Sequence, residues 1–359
     1  MTHPYADIPD RQRWSRTMAG RASSEIDPAG PPPFRIQPAD KVVSAGSCFA
    51  QHVARYLREL GRPCFESEPP HPLLPADVAR QYNYGVYTAR YGNVYTSRQL
   101  LQLWRRADGQ FRPRDDAWRV PDAWFDPFRP TIQPGGFPTR QEYDLDREQH
   151  MKAVRTAFET MDVFIFTLGL TECWISREDG AAYPICPGVA AGTFDPARHE
   201  LLNLTVDDVV ADMTAFIGEV RTVNPNMRLV LTVSPVPLAA TAEPTHVLSA
   251  TTYSKSVLRV AAEQVARLPM VYYFPSYEIV TTAGPAWLAP DRRSVLEPAV
   301  GHVMSVFFRH LVEGAALPQP EVADDFLANS QLLVDTLCDE ALLDEQDRSQ
   351  GATDGSEPG

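Results

Sequence analysis

The sequence predicts an α/β protein of three layers, α/β/α, in which helices cover both faces of a mostly parallel sheet. Short apolar runs alternate along the chain with stretches of helical periodicity, and this alternation is typical of parallel strands joined by crossover helices. The apolar runs are continuous, as expected for strands that are buried on both faces. Small or polar residues follow the runs, at the sheet edge where ligands bind in such folds.

The first strand is predicted at the apolar run from Val42, which ends in the turn Gly46-Ser47-Cys48. A helix follows directly, because apolar residues recur at three-to-four spacing from Phe49 to Leu60 and Gly61 then ends the pattern. The segment Pro63-Cys64-Phe65 is long enough for a short second strand. Residues 47 and 48 are therefore expected at a helix N-terminus, where backbone N–H groups favour negative charge and lower a thiol pKa.

The middle of the chain combines one clear helix with a long irregular segment. The helix is predicted over Ser97 to Ala107, where leucines and Trp104 share one face. Residues 108–139 are rich in proline and aromatic residues. We expect this insertion to pack over one end of the sheet as a wall of the site, because loops of that length in compact domains are usually functional.

Beyond the insertion, helices and strands alternate regularly. The predicted helices are Gln141–Met161, Thr205–Val223, Tyr253–Leu268 and Glu297–Gly314, and the predicted strands are Val163–Leu168, Leu229–Val233 and Val271–Phe274. These limits predict an N-terminal arm over residues 1–40, an α/β domain over 41–314 and an acidic tail over 315–359, with a short helix from Asp324 to Leu343.

Charge is concentrated in the tail. The 359-residue chain has a net charge of −13, and eleven acidic residues but one arginine lie between Glu321 and Gly359. The rest is nearly neutral, so neither nucleic acid nor an anionic membrane is an expected partner. The sequence leaves the oligomeric state open.

The cysteines and the N-terminal residues exclude several classes of protein. Five cysteines are scattered without metal-ligand spacing, which predicts free thiols and no metal site. No phosphate loop or dinucleotide fingerprint is present, so no cofactor is expected. Residues 1–21 lack an apolar signal core and no apolar run reaches membrane-spanning length, which predicts a cytoplasmic protein.

The strand ends carry motifs that resemble a known family. They are Gly46-Ser47-Cys48-Phe49-Ala50, Gly169-Leu170-Thr171-Glu172 and Ser234-Pro235-Val236-Pro237, and further matching strings include Asn83-Tyr84-Gly85, Ala89-Arg90-Tyr91-Gly92-Asn93 and Ser254-Lys255. From about Ser44 to Phe307 the chain resembles the GSCFA family, which is grouped with the SGNH (GDSL-like) hydrolases. The resemblance implies a flavodoxin-like fold of the SGNH-hydrolase type. It also implies an esterase or acyltransferase that acts on a small-molecule or acylated substrate, an ester or thioester.

The resemblance also assigns catalytic roles. In SGNH hydrolases a nucleophile follows the first strand, and a glycine and an asparagine from later loops form the oxyanion hole. This places Cys48 at the nucleophile, Gly85 at the glycine and Thr171 at the asparagine. With a shift of one residue Ser47 becomes the nucleophile, or both residues simply fit a tight turn. Gly85 is otherwise a turn glycine, and Thr171 otherwise caps a following helix.

The base of SGNH hydrolases, a histidine in a C-terminal Asp-x-x-His, has no counterpart here. Asp291 is present, but Ser294 stands in the histidine position. His246, in the loop after the strand that ends at Val233, is the predicted base or ligand contact, or else a polar loop residue. The missing histidine leaves open a second class, a non-catalytic binding protein.

The remaining candidates are polar residues within the matching strings. Arg90 and Lys255 are cations in aromatic or small-residue segments and are predicted to bind a substrate carboxylate or phosphate. Arg129 shares this prediction, although a buried ion pair that holds the insertion is favoured for it. The other predicted substrate-binding residues are Asn93, Glu172 and Asp291.

Overall fold

The structure, a computed structural model, describes residues 3–59 and 64–314, together with Leu342. Its helices are α1 Trp14–Thr17, α2 Cys48–Glu59, α3 Ala76–Gln81, α4 Ser97–Ala107, α5 Arg140–Thr160, α6 Val206–Val223, α7 Val247–Val265, α8 Ser276–Thr282 and α9 Glu297–Leu311. Its strands are β1 Val42–Gly46, β2 Trp118–Val120, β3 Ala123–Phe125, β4 Val163–Leu168, β5 Glu172–Ser176, β6 Ala182–Tyr183, β7 His199–Asn203, β8 Arg228–Val233 and β9 Val271–Tyr273.

The central sheet has the strand order β1-β4-β8-β9, and neighbouring strands run parallel. β1 pairs with β4 from Val42 opposite Val163 to Gly46 opposite Thr167. On the outer side of β1, Val42 forms a parallel bridge with Cys64. Of the predicted second strand, Pro63 lies outside the described residues, and the described part forms one bridged pair. With this bridge, the order across the sheet is flavodoxin-like, which confirms the predicted fold class.

Hydrophobic cores lie on both faces of this sheet, because successive strand side chains point to opposite faces. Phe164 of β4 packs edge-on against Phe158 of α5 and lies beside Phe216 of α6, in the core that α4 and α7 also cover. Its neighbour Ile165 belongs to the opposite core, with α2, α8 and α9. The three predicted layers are therefore present.

Two smaller antiparallel sheets lie outside the central sheet. The hairpin β2–β3 lies in the insertion, and a second sheet has the order β6-β5-β7. β5 starts at Glu172, three residues beyond β4, and pairs with both neighbours. The alternative that Thr171 caps a helix is therefore wrong, since the chain continues as a strand.

The limits of α7 differ from the prediction at its start, which is Val247 rather than Tyr253. The extra turn was hidden because Leu248 is 68% exposed, so the apolar pattern of the helix begins late. The other helices and strands of the regular region begin and end close to their predicted limits.

The segment before β1 is attached to α9. Ile36 forms a bridge with Val312 and is buried, and Asp27 forms an ion pair with Arg309 at 2.8 Å. The predicted tail helix from Asp324 to Leu343 lies outside the described residues, apart from Leu342.

Among the described helices, none has both the length and the apolar character needed to cross a bilayer.

Candidate active site

The carboxyl end of β1 forms a turn that requires glycine. Gly46 has a φ of +145°, and a Cβ at this position would lie 2.5 Å from the carbonyl oxygen of Thr167 on β4. The Ser47 N–H donates to the same carbonyl at 3.4 Å, and α2 begins at the next residue. The turn therefore places residues 47 and 48 where β1 and β4 end and the first long helix starts.

The Ser47 hydroxyl is buried in this turn. Its side chain is 4% exposed, and its Oγ has no hydrogen-bond partner in the described part of the chain. The Oγ1 of Thr167, the residue opposite Gly46, is also buried and has no hydrogen-bond partner among the described residues. A Cβ at Gly169 would lie 3.1 Å from the Ser47 Cβ, so a second glycine makes room here. Most buried side-chain polar atoms are hydrogen-bonded to protein or to ordered water, so two such hydroxyls at one sheet edge mark a place where water or a ligand can bind.

Cys48 is the first residue of the 12-residue helix α2, and its side chain lies outside the description. Its backbone position is the positive end of the helix macrodipole, which favours a thiolate. Two other cysteines lie where the neutral thiol is favoured. Burial raises the pKa of Cys186 to about 11 and that of Cys173 to about 12.

The segment around Asn93 crosses the end of β1. The Val94 N–H donates to the Gly46 carbonyl at 2.9 Å, and Tyr95 accepts from the Gly169 N–H at 2.8 Å. Gln51 of α2 donates its side-chain amide to the Asn93 Oδ1 at 3.4 Å. The structure therefore brings Asn93 to the strand ends, together with Gln51, which sequence reasoning missed.

Helix α7 fixes the turn between β4 and β5. The Lys255 side chain is 1% exposed, and its Nζ donates to the Gly169 carbonyl at 2.7 Å. The Ser254 Oγ accepts from the Thr171 N–H at 3.1 Å. The Thr171 hydroxyl, a predicted oxyanion donor, donates to the Asn203 Oδ1 at 2.7 Å.

Glu172 holds the loop that follows β8. Its Oε1 accepts from the Thr241 hydroxyl at 2.7 Å, and its Oε2 accepts from the Ala242 N–H at 3.2 Å. This carboxylate therefore ties the β4–β5 connection to the loop that leads into α7.

His246 is an exposed N-cap residue of α7. Its Nδ1 accepts from the Leu248 N–H at 3.1 Å. A neutral imidazole has one accepting nitrogen, so this cap occupies the lone pair that a general base would use.

Asp291 is bonded within its own loop. It accepts from the Ser294 hydroxyl at 2.6 Å and from the Arg293 and Ser294 N–H groups. Partial burial acts to raise the pKa of Asp291, but these hydrogen bonds and Arg293 hold it below its ordinary value. The Arg293 Nε donates to the Pro237 carbonyl at 3.2 Å, so this loop lies against the loop after β8.

Arg90 belongs to a buried ion network, which we define as Glu68, Arg90, Asp126, Arg129, Asp146 and His150. The Arg90 guanidinium bonds Asp146 at 2.8 Å and the Tyr82 carbonyl at 2.9 Å. Arg129 pairs with Asp126 at 2.7 Å and with Asp146. Both arginines are about 2% exposed. Because Arg129 lies in the insertion and Asp146 in α5, the network joins the insertion to the domain. Within residues 3–59 and 64–314, no group of His, Cys, Asp or Glu is arranged to hold a metal ion.

A cavity of about 550 Å³ lies beside α2. Four α2 residues line it, and the opposite wall comes from the segment between Glu66 and Val86, with α3. The α2 residues are Gln51, His52, Arg55 and Arg58. The sequence analysis missed them, although residues 51 and 52 follow residues 47 and 48 by one helical turn, which was the available signal.

Gly85, the other predicted oxyanion donor, lies on the wall of this cavity. It has a φ of +73°, and the Glu66 carboxylate also lines the cavity. Partial burial raises the pKa of Glu66, while Arg58 and the backbone of Gly85 oppose the rise.

Comparison with known proteins agrees with the motifs at the strand ends. The model of the GSCFA family matches residues 41–307. No curated protein and no solved structure matches the chain. The matched range contains the turn at residues 46–48 and the cavity beside α2, and it covers well over half of the chain. The protein therefore belongs to the GSCFA family.

Proposed function

We propose that the protein is an SGNH-like acyl-transfer enzyme, an esterase or an acyltransferase, whose nucleophile stands at the end of β1. The turn at residues 46–48 carries this proposal. It joins a strand end that requires glycine, a buried hydroxyl without a partner among the described residues and a helix N-terminus. These features lie at the carboxyl edge of a parallel sheet, where α/β proteins bind ligands.

Cys48 is the proposed nucleophile and Ser47 the alternative. A thiolate at the N-terminus of α2 attacks the carbonyl carbon of an ester or thioester, and a C–S bond forms. The tetrahedral intermediate collapses with departure of the alcohol or thiol, which takes up a proton. Water or an alcohol then accepts the acyl group, loses a proton and releases the thiolate.

The proposed oxyanion donors are the N–H groups in the first turn of α2 and the amide of Asn93. The contacts of Asn93 near the end of β1 support this assignment. The Thr171 hydroxyl already donates to Asn203, so it would have to exchange its partner to serve an oxyanion. The backbone N–H of Gly85, on the cavity wall, is a further candidate donor. One well-aimed donor stabilises such a transition state by about 3 kcal/mol.

A thiolate that is formed before the substrate binds needs no histidine base for attack. The cap made by His246 supports this version, because a base role for His246 would break its bond from the Leu248 N–H. Lys255 and Glu172 then position the turns around the site rather than bind substrate directly.

One observation favours the second candidate function, a non-catalytic binding protein. Ser294 replaces the expected histidine, and its hydroxyl bonds Asp291 within the same loop. In this alternative the cavity beside α2 binds a small molecule without chemistry.

Alkylation by iodoacetamide between pH 6 and 9, followed by peptide mapping, separates the two functions. We expect Cys48 to react fastest near pH 6.5, while Cys186, whose pKa is raised by burial, reacts appreciably only at the alkaline end. In the enzyme, Cys48→Ser should lower the turnover of an acyl thioester at least 100-fold, and His246→Ala should change it less than threefold.

The Ser47→Ala variant tests the alternative nucleophile in the same assays. Loss of turnover in Ser47→Ala with an unreactive Cys48 would transfer the nucleophile to Ser47. A Cys48 that reacts no faster than Cys186, together with the absence of thioester turnover, would overturn the enzyme and leave the binding protein.

A further inference from the structure

The cavity beside α2 is lined by α2 residues that begin one helical turn beyond the candidate nucleophiles. Residues 51 and 52 lie one helical turn after residues 47 and 48, so the helix face that lines the cavity continues to the site. Gln51 also bonds Asn93, which lies next to the end of β1. A ligand in this cavity can therefore extend toward the turn at residues 46–48.

Three arginines and one carboxylate give the cavity wall a positive charge. Arg55 is paired with Glu297 at 2.9 Å, and the Nε of Arg58 donates to the Ala54 carbonyl at 3.2 Å. Arg80 of α3 is exposed and makes no side-chain hydrogen bond or ion pair with the part of the chain that the structure describes. Arg58 also interacts with the Cys64 thiol and lies near the Glu66 carboxylate. Arg80 therefore keeps all of its side-chain donors for a ligand, and Arg58 keeps those that its own contacts leave.

His52 contributes no charge to this wall. The Arg55 guanidinium can only donate, so the His52 Nδ1, 3.2 Å away, accepts and the ring proton is on Nε2. Burial and the neighbouring Arg55 lower the pKa of His52 to about 3, so the ring is neutral at physiological pH. The positive charge of the cavity thus comes from guanidinium groups, which bind carboxylates and phosphates through paired N–H donors.

The remaining lining is largely apolar. Its apolar members are Pro70, Pro72, Leu74, Ala76, Ala79 and Val86, with Tyr84 beside them. His71 also lines the cavity, and its Nδ1 accepts from the Leu73 N–H at 3.2 Å. This surface suits a hydrocarbon body, while the arginines suit an anionic group, and about 550 Å³ admits both in one small molecule.

We propose that the substrate of this site is an acyl compound that carries a carboxylate or phosphate, which Arg58 and Arg80 bind in the cavity beside α2. The substrate role rests on the proposed acyl-transfer function. Anion binding itself is independent of turnover and is tested without it.

Three unreactive thioethers of matched length serve as probes in calorimetric titrations of the full chain. They are 3-(butylthio)propanoate, 2-(butylthio)ethyl phosphate and the neutral 3-(butylthio)propan-1-ol. We expect at least one anion to bind ten or more times more tightly than the alcohol, because guanidinium N–H groups form stronger hydrogen bonds with a charged acceptor than with a neutral one. The tighter of the two anions identifies the group.

Variants locate the binding. Arg80→Ala and Arg58→Ala should each weaken anion binding about tenfold and leave alcohol binding unchanged. Glu66→Gln should strengthen anion binding, because it removes the negative charge from the wall. Arg267→Ala, at an exposed arginine outside the cavity, is the matched control and should have no effect.

Equal affinity for anions and alcohol, or anion binding that Arg58→Ala and Arg80→Ala leave unchanged, overturns the proposal. Turnover measurements test whether the bound anion is part of the substrate. Faster turnover of neutral than of anionic thioesters overturns the assigned substrate class while acyl transfer stands. Cavity binding of anions with an unreactive Cys48 and no turnover overturns acyl transfer and leaves an anion-binding protein.

Discussion

Gly46 is constrained both by its backbone and by its neighbour on β4. At a φ of +145°, with a Cβ that would approach the Thr167 carbonyl to 2.5 Å, no other residue fits without displacement of a strand. We expect Gly46→Ala to lower the free energy of unfolding by roughly 2–4 kcal/mol, through backbone strain and overpacking. Urea denaturation measures this change.

Gly218 of α6 is the control for this substitution. A Cβ there meets nothing within 4 Å, so Gly218→Ala should raise the stability by about 1 kcal/mol through helix propensity. If Gly46→Ala is as stable as Gly218→Ala, the strand end does not require glycine and the candidate site loses its geometric basis.

Residue roles were predictable from the sequence where local pattern decides them. The placement of Ser47 and Cys48 at a strand end and helix start depends on a few neighbouring residues, and the structure agrees. The partners of Arg90 were not predictable, because Asp146 is 56 residues away and nothing local selects it. The cap made by His246 was missed for a different reason, since it depends on where α7 begins.

At the scale of elements, side chains of α7 hold the turn between β4 and β5 through hydrogen bonds. The Ser254 Oγ accepts from the buried Thr171 N–H. Ser254→Ala leaves that N–H without its acceptor, and we expect a loss of about 1–3 kcal/mol in the free energy of unfolding. Thermal denaturation of the full chain measures it.

Ser256, two residues further along α7, provides the comparison. It is exposed and its hydroxyl bonds the Thr252 carbonyl within the helix. Ser256→Ala should change the stability by about 0.5 kcal/mol or less. Equal losses of stability in the two variants would contradict a specific role for the bond from Thr171 to Ser254 and point to a general effect of substitution in this helix.

The limits of a strand could be predicted from the sequence where the strand is fully buried, and less well where it is partly exposed. β4 is buried at every position, so its apolar run gave its limits directly. β5 is only partly buried, and its mixed pattern resembles a loop until β6 and β7 pair with it. The second sheet, which borders the site, therefore could not be inferred from local pattern.

At the scale of the molecule, the buried ion network joins the insertion to the domain. Arg129 is paired with Asp126, whose side chain is fully buried, and with Asp146 of α5. Arg129→Met removes the charge that compensates these carboxylates, and we expect a loss of about 3–5 kcal/mol in the free energy of unfolding. Denaturant titration checks the loss.

An exposed ion pair tests whether burial causes the large loss of stability expected for Arg129→Met. Arg114 and Glu178 lie 3.8 Å apart with side chains 74% and 68% exposed. Arg114→Met should cost less than about 1 kcal/mol. A similar small cost for Arg129→Met would show that the insertion is held by its apolar contacts.

The pairing of β1 with β4 has a consequence for the nascent chain. Val42 and its partner Val163 are 121 residues apart, and the insertion and α5 are synthesised between them. At bacterial or eukaryotic elongation speeds of about 5–20 residues per second, β1 waits roughly 6–24 s on the ribosome before its neighbour exists. Pairing of strands so far apart in the sequence favours slow folding. During this interval the apolar edge of β1 depends on α2, or on a chaperone, for protection from aggregation.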